Sequence, residues 1–121
     1  MNIPRDGVLL RIYIGESDSW QGQPLYEAIV LKARELHLAG ATVLRGPMGF
    51  GANSRLHTAK ILRLSEDLPI VIEIVDSKEK IDELLPHIDA MLEEGLVTLE
   101  RVEVLQYRAG KSGGQDNGAA T

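Results

Sequence analysis

The sequence contains no cysteine, which excludes a disulfide framework, a catalytic thiol and a thiolate metal site. A chain without cysteine also fits the reducing cytoplasm. No apolar run approaches the roughly 20 residues of a membrane span. The opening "MNIPRDG" lacks the basic and then apolar layout of a signal peptide. We therefore expect a soluble, cytoplasmic protein.

Aromatic residues and excess positive charge are also scarce. Phe, Trp and Tyr make up 4% of the 121 residues while hydrophobic residues make up 44%, so the core must be built from Leu, Ile and Val. The formal net charge of −5 argues against unspecific binding to nucleic acid, which requires clustered Lys and Arg. We expect no nucleic-acid partner.

The length of the chain fits a single domain, which we place at residues 1–109. Residues 110–121, "GKSGGQDNGAAT", contain four glycines and no large apolar residue. This composition predicts a disordered C-terminal tail.

Patterns typical of strands alternate with patterns typical of helices along the domain. Strands are predicted at residues 8–15, 41–46, 70–76 and 96–108, and helices at about 24–38 and 77–95. Pro24 suits the first turn of the first helix, and Gly40 suits its stop. Ser77 suits the N-cap of the second helix, and Pro86 within it predicts a kink or a local break. The third strand is expected to start near Lys60, before a turn at "SEDLP".

The predicted order of strand, helix, strand, strand, helix, strand is the split βαβ pattern of an α+β, ferredoxin-like fold. Right-handed crossovers place both helices on one face of an antiparallel four-stranded sheet. The apolar runs at 8–10 and 70–72 do not alternate with polar residues, which predicts that the second face is buried as well. Both helices are needed on the first face, so other copies of the chain are the simplest means of covering the second, and we expect a closed homo-oligomer. The alternative is that these runs reflect strand propensity alone.

The connection at about residues 46–59 is much longer than the two to five residues that a hairpin usually needs. This excess length predicts a binding or signalling element. Gly46, Gly49 and Gly51 permit backbone N–H groups to approach an anion. The alternative is an insertion that the fold tolerates.

Several basic residues lie near this loop. Arg45 precedes it, Arg55 and Lys60 lie within or just beyond it, and Arg108 ends the last predicted strand. The guanidinium group matches phosphate oxygens in a forked geometry, so Arg45 and Arg108 are candidates for holding an anionic ligand. The alternative is that they are solvated charges at strand ends.

Three isolated residues also allow two interpretations. Phe50 lies between glycines at the loop centre, where a planar ligand or a partner protein is its plausible contact. Trp20 is able to stack on a flat base, or to cover the end of a small core. Glu73 interrupts an apolar strand and is expected either to pair with Arg11 or Arg101 or to lie at an edge open to water.

The remaining polar residues give no pattern of a metal or catalytic site. His37, His57 and His87 are dispersed, so surface or hydrogen-bonded histidines are expected. No carboxylate pair resembles an acid and base couple, and no nucleophile has an adjacent base in the sequence.

The motif string carries a family resemblance. The stretches "GQPLYEAIVLKARELHLAGATVLRGPMGFG" and "LHTAKILRLSEDLPIVIEIVD" closely resemble the PII-like family long catalogued only as a domain of unknown function, over about residues 7–109. The resemblance implies a homotrimer with the sheets lining its centre, adenine nucleotides in the clefts between subunits, and a long loop that reaches a partner protein. Genes of the family often neighbour those thought to encode fluoride exporters, which implies a membrane transporter or channel as partner. Family members have no established catalytic activity, so the resemblance implies that the protein is not an enzyme.

Single residues carry over from the PII motifs. The "GFG" at Gly49, Phe50 and Gly51 is similar to the start of the PII effector loop, and the "YRAG" at 107–110 resembles a closing motif that gives Arg108 a phosphate-binding role.

Two other PII phosphate contacts have no counterpart. Gln106 stands where PII proteins carry a second arginine. PII proteins also have a glycine-rich loop that contains a phosphate-binding lysine, and the short segment "MLEEGLV" at 91–97 stands in its place. We therefore expect the nucleotide to be AMP or ADP ahead of ATP.

Two other functions remain open. An acylphosphatase-like phosphohydrolase shares the fold order, but it needs an Arg and an Asn in the loop after the first strand, and "GESDSWQGQ" has neither. A trimeric metal-handling protein is disfavoured by the scattered histidines and the absence of cysteine.

Overall fold

The protein forms an antiparallel sheet with two helices on one face, as seen in a computed structural model that describes residues 5–50 and 67–110. The elements in chain order are β1 Asp6–Gly15, β2 Ser19–Trp20, β3 Gln23–Pro24, α1 Leu25–Glu35, β4 Thr42–Arg45, β5 Pro69–Asp76, α2 Lys78–Met91 and β6 Leu96–Glu103. Among the described residues, neither helix has the length and the apolar composition of a membrane span.

The four long strands lie in the order β4-β5-β1-β6, and every neighbouring pair is antiparallel. This order confirms the predicted ferredoxin-like α+β fold. Strand direction then fixes what meets at each end of the sheet. The C-terminal ends of β1 and β4 lie beside the start of β5, since Gly15 pairs with Pro69 and Arg45 with Ile70. The C-terminal ends of β5 and β6 lie at the opposite end.

The core lies between the sheet and the two helices. Alternate residues of β1 and β5 point into it, because side chains on a strand alternate between faces. Its fully buried members include Leu10, Ile12, Ile29, Ile72, Ile74, Ile81 and Leu84. No aromatic residue belongs to this buried set within the described residues, as the composition predicts.

The opposite face of the sheet is apolar but only partly covered in a single chain. Leu9, Val71 and Val75 are half-buried there, while Tyr13 and Leu96 are exposed. A single chain leaves this face partly open, because both helices lie on the other side, and its burial by other copies of the chain stays a prediction. The apolar runs do place large hydrophobic side chains on this open face.

Helix α1 ends at Glu35, three residues earlier than predicted, and Gly40 is not its stop. The stop is His37, which has a left-handed backbone with φ of 65°. The His37 N–H donates to the Arg34 carbonyl and the Leu38 N–H to the Ala33 carbonyl, both at 3.0 Å. These two bonds form a Schellman motif, which usually has glycine at the left-handed position. The sequence pattern did not indicate this stop, because histidine occupies the position where glycine is usual.

Helix α2 begins as predicted, with the Ser77 hydroxyl accepting a hydrogen bond from the Lys80 N–H at 3.2 Å. The helix runs unbroken through Pro86 and ends at Met91, so the predicted local break is absent.

Gly95 lies between the helix and β6 rather than at the helix end. Its φ of 145° and its close approach to the Tyr13 carbonyl explain why glycine stands there.

The segment after β1, predicted to be a loop, contains a small hairpin. Trp20 pairs with Gln23, and Gln21 and Gly22 form the turn with φ of 50° and 81°. Positive φ at both turn residues is typical of a tight two-residue hairpin. Trp20 lies partly buried against the core, in agreement with the interpretation that it covers the end of the core.

The last strand is shorter than predicted, since β6 ends at Glu103 and residues 104–110 have no regular structure. The expected start of the third strand near Lys60 lies outside the described residues, as does the tail at 111–121.

Candidate functional site

The base of the predicted loop lies where β4 ends. Arg45 forms an ion pair with Glu16 from the turn after β1, although its side chain remains 56% exposed. The next residue, Gly46, donates its N–H to the Pro69 carbonyl at 2.8 Å. The candidate anion-binding groups at Arg45 and Gly46 are thus both engaged within the chain.

Pro69 explains two of the glycines in the motif. A Cβ on Gly46 would lie 2.8 Å from the Pro69 Cγ, and a Cβ on Gly49 would lie 3.1 Å from it. A Cβ at Gly46 therefore requires Pro69 or the backbone to shift, whereas a Cβ at Gly49 makes an unusually tight contact that a small movement of Pro69 would relieve. Within the described residues these glycines serve close packing at the loop base, a role that glycine spacing alone does not distinguish from anion binding.

The turn after β1 holds the other end of the long connection. The Ser17 N–H donates to Asp67 Oδ1 at 3.1 Å, and the Glu16 N–H donates to the Leu68 carbonyl at 2.8 Å. Together with the Arg45 ion pair, these bonds attach both described ends of the connection to one turn. Sequence reasoning missed Glu16 and Asp67 because nothing in their spacing links them to the loop.

Beyond the base, the described part of the loop is exposed and apolar. Met48 is 68% exposed and Phe50 is 71% exposed. The exposure of Phe50 agrees with the prediction that it has no core position. Gly51, His57, Arg55 and Lys60 lie outside the described residues.

Arg108 lies in the segment after β6. It is exposed and has no ion-pair partner within residues 5–50 and 67–110. The preceding Tyr107 donates its hydroxyl hydrogen to the Ala39 carbonyl at 2.8 Å. Burial, and then the nearby negative charge of Asp76, raise the pKa of Tyr107 above its ordinary value, so the hydroxyl keeps its proton to a higher pH than an exposed tyrosine does.

Asp76 is the buried charged residue beneath this contact. Only 1% of it is exposed, and its carboxylate accepts hydrogen bonds from the Ala39 N–H at 2.8 Å and the Ser77 N–H at 2.6 Å. These bonds compensate the cost of burying the carboxylate. Sequence reasoning missed this role, although a carboxylate that ends a buried strand just before a helix cap is a recognisable signal.

Two further cations line a cleft of about 560 Å³ beside β6. Lys78 and Arg101 both border it, together with the apolar side chain of Leu99. Arg101, one of the two predicted partners of Glu73, does not pair with it. The register explains why, since Arg101 lies opposite Val8 on the helix side of the sheet while Glu73 lies on the open face.

The fold separates the two candidate arginines within one chain. Arg45 lies at the end of the sheet where β5 begins, whereas the segment carrying Arg108 is attached at the end where β5 finishes. Because β5 has eight residues, these ends are roughly 25 Å apart. One chain by itself does not bring Arg45 and Arg108 to a common ligand.

Other predicted polar residues take structural positions. Glu73 pairs with Arg11, as one of the predicted alternatives states, and the Arg11 Nε to Glu73 Oε2 distance is 2.9 Å. Within the described ranges no group of three or more His, Asp or Glu side chains is placed to hold a metal ion.

Solved structures of similar fold belong to the PII-like class. The chain superposes on a PII-like signaling protein from Thermus thermophilus with a TM-score of 0.57 and 19% identity, covering 86% of this chain and 93% of that one. It also superposes on CPII bound to ADP and bicarbonate from Thiomonas intermedia with a TM-score of 0.55 and 18% identity, covering 84% of this chain and 90% of that one. At this level of identity the likeness establishes the PII-like fold.

Sequence comparison then gives the family. Residues 7–104 match the DUF190 family, described as an uncharacterized ACR. A UPF0166 protein from Aquifex aeolicus is 41% identical over 97 residues, which cover 80% of this chain and 91% of that protein. A UPF0166 protein from Methanocaldococcus jannaschii is 34% identical over 92 residues, covering 75% of this chain and 84% of that protein. The chain belongs to the DUF190 family, which confirms the predicted resemblance.

Proposed function

We propose that this protein is a PII-like regulatory protein that binds an adenine nucleotide between adjacent copies of the chain and controls a partner through the loop that begins at Gly46. The position of Arg45 and Arg108 carries this proposal. Because they lie at opposite ends of one sheet, a site that uses both must take one arginine from each of two chains. The likeness in fold to CPII, solved with ADP and with ADP and AMP, supports an adenine nucleotide as the ligand.

The open face of the sheet supports self-assembly. Tyr13 is 37% exposed, Leu44 47% and Leu96 56%, and the half-buried Leu9 and Val71 lie beside them. Exposed apolar surface of this kind marks an interaction site. A closed homotrimer hides this face from water and leaves no copy with a free interface.

The ligand expected at the seam is a nucleotide with few phosphates, AMP or ADP ahead of ATP. Arg45 from one chain and Arg108 from the next supply the two candidate phosphate contacts. Gly49, Phe50 and Gly51 come after Arg45 in the loop of the first chain. We expect these three residues to contact the base or the sugar of the nucleotide.

A signalling step follows from the Arg45 ion pair. A phosphate group that binds Arg45 competes with the Glu16 carboxylate for the guanidinium group, and displacement of Glu16 removes one of the bonds between the loop base and the turn after β1. Ligand binding and loop position are then coupled, because the ligand binds one arrangement of Arg45 better than the other. The exposed Met48 and Phe50 are the described loop residues available to a partner protein, for which a membrane transporter or channel is the proposed class.

The experiment is a calorimetric titration with AMP, ADP, ATP and cyclic AMP, together with sedimentation of the same sample. We expect a trimer, the tightest binding for AMP or ADP, and a loss of about tenfold or more in affinity for Arg45→Ala and for Arg108→Ala. Arg34→Ala is the matched control, because Arg34 is an exposed arginine in the last turn of α1. Absence of heat with all four nucleotides, with unchanged thermal stability, contradicts the proposal.

The proposed function is binding without catalysis. A phosphate-release assay with ATP, ADP and an acyl phosphate tests this directly. We expect no release above the rate without protein, and release that disappears in Arg108→Ala would instead indicate a phosphohydrolase.

A further inference from the structure

The segment that carries Arg108 is irregular but is held at two points. The Val104 N–H donates to the Arg5 carbonyl at 2.8 Å, and the Tyr107 hydroxyl donates to the Ala39 carbonyl at 2.8 Å. Between these points Leu105 is 79% exposed. Arg108 directly follows the second point, so its backbone position depends on Tyr107 more than on any strand.

The Tyr107 hydroxyl bonds to a buried residue of the connection between α1 and β4. Ala39 is 2% exposed, and its N–H is already bound by the buried Asp76, which also binds the N–H of Ser77 at the start of α2. The Lys80 ammonium group adds a bond of 2.7 Å to the Leu36 carbonyl in the same connection. The carbonyl that receives the Tyr107 hydroxyl is thus fixed from both α2 and β5.

We propose that Tyr107 is a positioning residue, whose hydroxyl anchors the C-terminal segment to Ala39 and thereby holds Arg108 ready for the ligand phosphate. This inference rests on the proposed nucleotide-binding function. An arginine on a free segment loses conformational entropy when it binds, whereas an anchored segment has lost much of it already. The bond therefore acts on affinity although Tyr107 itself does not touch the ligand.

The test compares Tyr107→Phe, which removes only the hydroxyl, with Tyr26→Phe. Tyr26 is the matched control because it is also half-buried, on α1, and makes no hydrogen bond within the described residues. The first measurement is hydrogen exchange of the backbone amides at 105–110. We expect exchange about tenfold faster in Tyr107→Phe and unchanged in Tyr26→Phe, with similar melting temperatures for both.

The second measurement is the affinity for ADP in a double-mutant cycle. We expect Tyr107→Phe to weaken binding about tenfold in the wild-type background and to have no further effect in the Arg108→Ala background, because Tyr107 acts through Arg108. A purely structural role would weaken binding equally in both backgrounds.

The outcomes separate this inference from the proposed function. Unchanged exchange in Tyr107→Phe overturns the inference, and so does faster exchange with unchanged ADP affinity or an equal loss in the Arg108→Ala background. If the wild-type protein binds none of the nucleotides, the proposed function fails. The exchange measurement then still decides whether Tyr107 anchors the segment.

Discussion

Arg11 and Glu73 lie directly opposite each other on β1 and β5, and their side chains meet with an Nε to Oε2 distance of 2.9 Å on the open face of the sheet. The hydrogen bond to Glu73 raises the pKa of Arg11 above its ordinary value. Glu100 on β6 is a second, more distant partner at 3.4 Å. The pair allows an apolar face to carry charged residues and still be covered by another copy, because each charge has its partner within the chain.

Separating this pair is expected to impair assembly more than removing it. Glu73→Leu leaves Arg11 without its main partner on a face that is covered in the proposed trimer, so we expect the melting temperature to fall by several degrees and dissociation to increase on dilution. The double variant Arg11→Leu with Glu73→Leu is expected to recover most of the loss. Thermal melts and sedimentation across a dilution series measure this. A double variant less stable than Glu73→Leu contradicts the interpretation.

Asp76 is expected to be among the most sensitive positions for stability. Asp76→Ala leaves the buried N–H groups of Ala39 and Ser77 without their acceptor, and we expect the free energy of unfolding to fall by about 2–4 kcal/mol. Asp89→Ala, on the exposed side of α2, is the control and should change it by less than about 0.5 kcal/mol. Equal denaturation midpoints for the two variants would refute the assigned role.

Gly95 and Gly40 are expected to differ sharply in their tolerance of alanine. A Cβ on Gly95 would lie 2.8 Å from the Tyr13 carbonyl oxygen, on a backbone with φ of 145°, so Gly95→Ala should destabilise the fold by about 3 kcal/mol. Gly40 has a φ outside the left-handed range and no heavy atom within 4 Å of the position of a Cβ. Gly40→Ala should therefore be close to neutral. Chemical denaturation of the two variants checks the contrast, which a similar loss in both would contradict.

His37 offers a substitution that should stabilise the protein. Its left-handed backbone, with φ of 65°, is unfavourable for a residue with a Cβ, so His37→Gly is expected to increase the free energy of unfolding by about 1 kcal/mol. His87→Gly, within α2, should decrease it by about 1 kcal/mol. Urea denaturation of both variants measures the two signs. A loss of stability in His37→Gly would show that the imidazole contributes more than the backbone strain costs.

The sequence was sufficient for the fold because local patterns determine it. Strand periodicity, the Ser77 cap and the order of elements predict the sheet and both helices without knowledge of contacts. Prediction from the sequence missed two local features, one because an unusual residue occupies a helix end and one because the element is very short. His37 ends α1 in place of a glycine, and the Trp20 hairpin is too short for its period to be detected.

The candidate site was less predictable, because it depends on contacts between residues far apart in the chain. The glycines and arginines are visible as a motif, but the packing of Gly46 on Pro69, the pairing of Arg45 with Glu16 and the support of Tyr107 by Asp76 require the fold. The separation of Arg45 from Arg108 follows from strand direction.

The central claim, that the site forms between chains, is tested most directly by mixing two defective variants. Arg45→Ala and Arg108→Ala are unfolded together, refolded as a mixture and shown by native mass spectrometry to share trimers, and ADP binding is then titrated. Each variant alone should bind weakly, whereas the mixture should recover wild-type affinity at about one quarter of its sites, where an intact Arg45 meets an intact Arg108 of a neighbour. Mixed trimers that bind no better than the separate variants would contradict the claim.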